Sequence, residues 1–218
     1  MSHLHIPDGV LPVLLWAPGL GLALLLLLLS VLAGRGASRQ HVAYQGALGA
    51  LMLAVMAVEV PLGPFEYHLV LLGPVGVLLG PSATFQVVFV ANAILALLGH
   101  GGLTVVGLNA LVLGAGGALA RPVFRLLARR FSAPVSMAGA TAVAQAISGA
   151  LWIVVVGFGL RAGAAGTARV GLFAGVAFPM WIVGILIESA VAFGIARFIT
   201  RVRPDLLPRG TRPAVGAP

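Results

Sequence analysis

The chain has 218 residues, of which 60% are apolar and 8% are charged. Soluble domains run nearer half apolar and a quarter charged, and six or seven membrane spans alone consume about 120–140 residues. That arithmetic excludes a sizeable soluble domain, a nucleotide-binding domain and any large catalytic module. The absence of cysteine excludes disulfides and thiolate chemistry. The net charge of +8 is carried by 13 basic residues, all of them Arg. In so apolar a chain it reads as the positive charge that membrane proteins collect in cytoplasmic loops, and not as a nucleic-acid surface. With no Lys there is no phosphate-binding Gly-Lys loop, so ATP hydrolysis by that route is excluded.

The first apolar run is Leu11–Ala33. A signal peptide carries basic residues ahead of its apolar core. Here the first eleven residues hold two His and one Asp, and the first Arg is Arg35, so the run is expected to be a retained helix. Further runs follow at Tyr44–Val60, Leu69–Leu79, Ser82–Leu98, Leu103–Ala120, Ala133–Leu160 and Val170–Phe198. The third is short and interrupted by Gly73-Pro74, the habit of a helix buried in a bundle. Gly80-Pro81 joins it to the fourth as a tight turn. The expectation is an all-α integral membrane protein with a seven-helix bundle; six spans and a re-entrant segment is the rival.

With seven spans and the N-terminus outside, eleven Arg residues fall on the cytoplasmic side and only Arg161 and Arg169 outside. This asymmetry predicts an outer N-terminus and a cytoplasmic C-terminus. Residues 1–203 are expected to form one bundle domain and 204–218, rich in Pro, Gly and Arg, a flexible cytoplasmic tail. Arg121–Arg130 and the tail arginines read as topology anchors. Gly76-x-x-x-Gly80 has the spacing that lets helices approach closely.

The polar inventory is short. In this topology His3, His5, Asp8, Glu66, His68 and His100 lie on the outer side, with Glu59 near the outer end of the second helix and only His41 in the cytoplasm. Imidazole is the usual ligand of nickel, cobalt, copper and zinc, so four His on one face point to a transition-metal site. Met1-Ser2-His3-Leu4-His5 adds two imidazoles near a free amine, a planar nitrogen set suited to Ni(II) or Cu(II) whether or not Met1 is removed before Ser2. His68 follows the loop Pro61–Tyr67, and His100 stands in the tight turn Gly99-His100-Gly101-Gly102. The glycines of that turn admit close backbone approach, as by the N-terminal segment. Glu59 is a candidate for orienting a ligand, and Glu188, deep in the last run, reads as a buried structural carboxyl. Asn92 and Asn109 read as hydrogen-bond links between helices.

His5-Ile6-Pro7-Asp8-Gly9 followed by Leu11-Pro12, His68 twelve residues before Gly80-Pro81, and Gly99-His100-Gly101-Gly102 followed by Gly107-Leu108-Asn109 together resemble the CbiM/NikM family. Its members are substrate-binding membrane subunits of energy-coupling-factor (ECF) transporters for cobalt and nickel. The resemblance covers roughly the first 110 residues; beyond them only hydropathy and length match. It implies seven helices, an N-terminal segment tucked into the bundle from outside, and no enzymatic activity. It implies a metal held by the terminal amine, the next backbone nitrogen, the adjacent His, corresponding to His5, and the loop His, corresponding to His68. The implied partners are a coupling transmembrane subunit, ATPase subunits and a small accessory membrane subunit, all in the prokaryotic cell membrane.

Three departures are visible. Met1–Leu4 precede His5, so Ser2-His3 is expected to rebuild the chelate upstream, with His5 as a further ligand or a spacer. His100 stands where the family usually carries Asp, and Leu95 where it carries Gln. The expected metal ligands are therefore Ser2, His3, His5, His68 and His100, and the expected cargo is Ni(II) or Co(II), with no other cofactor. Two alternatives remain: a subunit of the same transporter type for a vitamin or other small molecule, and an intramembrane hydrolase built on Ser148.

Overall fold

The computed structural model describes residues 6, 8–9, 11–62, 65–162 and 166–208. Among them the chain forms seven helices and one β-hairpin. The helices are α1 (Val13–Ala33), α2 (Arg39–Met56), α3 (Leu72–Leu79), α4 (Pro81–Leu97), α5 (Val106–Leu127), α6 (Ala133–Ala162) and α7 (Gly166–Val202). Four stretches are long and apolar enough to cross a bilayer: α1, α5, Ala133–Gly159 of α6 and Phe178–Val202 of α7. The large side chains that α1 leaves exposed are apolar, among them Leu22, Leu24, Leu25, Leu28 and Leu29, as lipid-facing positions require.

The helix starts follow local chemistry. Pro12 precedes α1, and Pro81 opens α4, where a missing N–H costs nothing. Ser38 caps α2 by accepting the His41 N–H at 3.2 Å. Gly73-Pro74 does not break the third helix. It falls in the first turn of α3, where proline is tolerated, and all eight residues of this helix are buried.

Two expectations are corrected. The second apolar run does not remain helical to Val60: α2 ends at Met56, and Glu59–Leu62 (β1) pairs antiparallel with Phe65–His68 (β2). A residue preceding proline is pushed out of the helical region, and Val58–Pro61 supplies a β-branched pair just before Pro61. Glu59 is therefore not at a helix end but opposite His68 in the strand register. Gly76 and Gly80 do not act as a helix-packing pair either. A Cβ at Gly76 would meet the Gly117 carbonyl of α5 at 2.4 Å, but Gly80 is the turn residue, with φ 79°.

The core centres on α3. Leu72, Val75, Met52, Met56, Leu113, Phe124 and Met137 pack together around it. A smaller cluster joins Ile6 and Leu11 to Val105 and Val112 of the α5 region and to Trp152 and Val156 of α6. After α7 a short 3-10 turn, Pro204–Leu206, brings Leu207 against the main core. The expected tail 204–218 thus starts with packed residues; 209–218 lie outside the described residues.

Candidate metal site at one end of the bundle

The site is assembled by three segments distant in sequence. The first is the N-terminal segment, described at Ile6, Asp8 and Gly9. Ile6 is fully buried, and Asn109 on α5 holds its backbone from both sides: the Ile6 N–H donates to Asn109 Oδ1 at 2.9 Å, and Asn109 Nδ2 donates to the Ile6 carbonyl at 3.3 Å. That carbonyl also accepts the Gly102 N–H at 3.2 Å. Two residues on, the Asp8 carboxylate accepts the Leu103 and Thr104 N–H groups at 3.0 and 2.9 Å and the Thr104 hydroxyl. The Thr104 hydroxyl, with the Thr104 and Leu103 amides, holds the Asp8 carboxyl below its ordinary value against a partial loss of solvation.

The second segment is the turn after α4. A Cβ at Gly102 would lie 2.5 Å from Asp8 Oδ1 and 2.6 Å from the Asp8 nitrogen. The glycine-rich turn therefore does admit the N-terminal segment, as its composition predicts. The same turn carries His100.

The third segment is the hairpin. His68, its last residue, is 6% exposed. Its Nδ1 lies 2.8 Å from the Met56 carbonyl at the end of α2. A carbonyl only accepts, so this contact puts the proton on Nδ1 and leaves Nε2 with its lone pair. Nε2 is buried and has no hydrogen-bond partner among the described residues. A metal-binding imidazole is typically prepared in this way, one nitrogen tied to a carbonyl and the other open. The His68 and His100 rings meet edge to face with centroids 6.1 Å apart. One ion at about 2.0–2.1 Å from a nitrogen of each ring sets the ring centres roughly 4.5–6.5 Å apart, depending on the angle at the metal.

The structure therefore brings His68 and His100 together. Ser2, His3 and His5 lie outside the described residues. Among the described residues no group of three His, Asp or Glu is placed to hold an ion. A cavity of about 1220 Å³ opens between α1, α2 and α4, lined by Arg35, His41, Gln45, Gln86 and Arg121. It lies toward the N-terminal end of α2, away from the Met56 carbonyl and His68, and supplies no ligand to them.

Several roles differ from the sequence reading. Asn109 links α5 to the N-terminal segment and not to another helix. Asn92 donates to the Val88 carbonyl of its own helix. Arg121, read as a topology anchor, also has a structural partner: its Nε donates to the Val77 carbonyl at 2.7 Å and its Nη2 to the Leu78 carbonyl, closing the C-terminal end of α3. The Met56 carbonyl is a backbone group and left no sequence signal. Among the described residues, Ser148 Oγ is buried without a hydrogen-bond partner.

Residues 5–206 match the family described as CbiM, the cobalt uptake substrate-specific transmembrane region. The chain belongs to the CbiM family. It is a membrane protein of metal-ion transport. The cobalt transport protein CbiM of Sorangium cellulosum (strain So ce56) is 32% identical over 216 residues, covering 94% of this chain and 95% of that protein. Two crystal structures share the fold. One, of a truncated transition metal transporter, has a TM-score of 0.74 at 20% identity and covers 94% of this chain and all of its own. The other, of a transition metal transporter, has a TM-score of 0.77 at 19% identity, covering 91% of this chain and 93% of its own.

Proposed function

We propose that this CbiM-family chain is the substrate-capture component of an ECF transporter and takes up Co(II) or Ni(II) at the outer face of the cell membrane. One observation carries the reading. The N-terminal segment is pinned through Ile6 and Asp8 against the turn that holds His100, and His100 touches the half-bonded His68. His5 is the covalent neighbour of Ile6, and Ile6 is held at the end of the bundle where the two imidazoles meet. The proposed ligands are His68 and His100 with donors from Ser2, His3 and His5. An amine, a deprotonated amide and imidazoles form a nitrogen set that suits nickel and cobalt better than harder cations.

The proposed topology has seven crossings, the N-terminus outside and the C-terminus in the cytoplasm. Support comes from the arginines, eleven against two. It also comes from the segment between the hairpin and α4. That segment starts beside His100 and ends at Gly80, against the Arg121 guanidinium. Residues 1–203 would act as one domain and 204–218 as a cytoplasmic tail. The chain brings no ATP-hydrolysing motif, so a coupling transmembrane subunit and ATPase subunits would drive release inward, with a small accessory membrane subunit beside them.

The test is uptake of labelled cobalt and nickel in cells that express the chain with its coupling and ATPase subunits. Metal uptake that disappears with His68→Ala is the expected result. Absence of metal uptake, or uptake of a vitamin that His68→Ala leaves intact, would overturn it.

A further inference from the structure

Just beyond His68 the chain enters α3 through a junction that its own residues do not stabilise. Val70 and Leu71 precede the helix, and no side chain of their own segment caps it. Leu71 sits at φ 54°, a left-handed conformation in which a branched residue is strained and must be held by its surroundings. The support comes from 117 and 118 residues away: Glu188 on α7 is fully buried and accepts the Val70 N–H on Oε1 and the Leu71 N–H on Oε2, the latter at 3.1 Å. Arg121 holds the other end of the same helix through the Val77 and Leu78 carbonyls. The Glu188 carboxyl thus holds the junction ahead of α3, and the Arg121 guanidinium satisfies carbonyls at the helix's other end.

We infer that Glu188 is a positioning residue for metal capture: by holding the Val70 and Leu71 amides it fixes the β2–α3 junction and thereby the aim of His68 at the ion. Two of the constraints on His68 are local to its hairpin and α2, namely strand pairing with Glu59 and the Met56 carbonyl. The third reaches it from α7, with only Leu69 between His68 and the first amide that Glu188 holds. Outer partners that hold a ligand in place commonly account for 10–100-fold in metal affinity. The inference rests on the reading of His68 as a ligand.

The experiment titrates the full-length protein with Co(II), read by calorimetry and by the ligand-field absorption of the bound ion, alongside thermal unfolding. Glu188→Ala is expected to weaken Co(II) binding at least about tenfold and to shift the absorption band. Glu188→Gln, which keeps one acceptor oxygen, falls between, and decides the matter if the Ala variant does not fold. Arg121→Met loosens the far end of the same helix; it is expected to lower the unfolding temperature yet leave Co(II) affinity within about twofold. Wild-type affinity and spectrum in the Glu188 variants would overturn the inference, as would equal weakening by Arg121→Met, since the carboxylate would then serve the fold alone. His68→Ala separates the two levels. Unchanged binding there overturns the metal-site reading itself, whereas loss there with unaffected Glu188 variants overturns only the role of Glu188.

Discussion

Replacing Asn109 with Leu keeps the side-chain volume but removes both hydrogen bonds that clamp Ile6. The Ile6 N–H then loses its partner, whereas the Ile6 carbonyl keeps the 3.2 Å bond from Gly102. Each buried backbone group left unpaired costs about 1–3 kcal/mol. Only the N–H is left unpaired, so the penalty is about 1–3 kcal/mol, centred near 2 kcal/mol. The penalty acts on docking of the N-terminal segment, because Asn109 has no other described partner. If the segment must be docked to supply its nitrogens, about 2 kcal/mol lowers metal affinity about 30-fold. Asn109→Asp keeps the acceptor for the Ile6 N–H and loses the donor to its carbonyl, so it should fall between. The assay is calorimetric titration with Co(II), paired with hydrogen exchange at the Leu103 and Thr104 amides, which report whether Asp8 is still docked. Affinity within threefold of wild type in Asn109→Leu, with those amides exchanging freely, would refute the reasoning: the segment would then be undocked and the metal indifferent to it.

Gly102→Ala drives a methyl group into the Asp8 backbone and carboxylate. Overpacking of this kind costs about 1–3 kcal/mol, so a metal-affinity loss of about tenfold is expected by titration, with the bundle's unfolding temperature little changed. The Asp8 anchor has a defined pH window. Its carboxyl is held below the ordinary value of 3.8, so its stabilisation is complete above that value and is lost as pH falls through the lower, folded-state value. Protection of the Leu103 and Thr104 amides, corrected for intrinsic exchange, should therefore hold from pH 8 down to about 4. Loss of protection between pH 7 and 5 would contradict this.

What the sequence revealed, and what it hid, follows from the range of each interaction. Apolar runs placed α1, α3, α4 and α6 within three residues, because lipid demands continuous apolar surface; α2 is shifted toward the N-terminus, and α5 and α7 run on past their apolar stretches. The hairpin was hidden because Glu59–Leu62 and Phe65–His68 are each four residues, too short to show alternation, and the first abuts an apolar helix. Gly102 was legible, since a glycine-rich turn beside a motif-bearing N-terminus has few other uses. The partners of Asn109 and Glu188 were not. Asn109 reaches 103 residues back to a backbone amide, and Glu188 reaches 118 back to another. Backbone groups carry no side-chain signature, so both residues read as generic polar members of a membrane helix. The bonds of Arg121 were hidden for the same reason: its partners are the carbonyls of Val77 and Leu78.

In the proposed site, His68, tied to Met56 through Nδ1 and open at Nε2, holds a metal together with the N-terminal segment. The most direct test of this site is titration of protein with a native, untagged N-terminus against Co(II) and Ni(II), with His68→Ala as the paired variant and mass spectrometry reporting the state of Met1. The account predicts one tightly bound ion per chain in the wild type and none in the folded variant. An equal, tight equivalent in both proteins, or none in either, would contradict it.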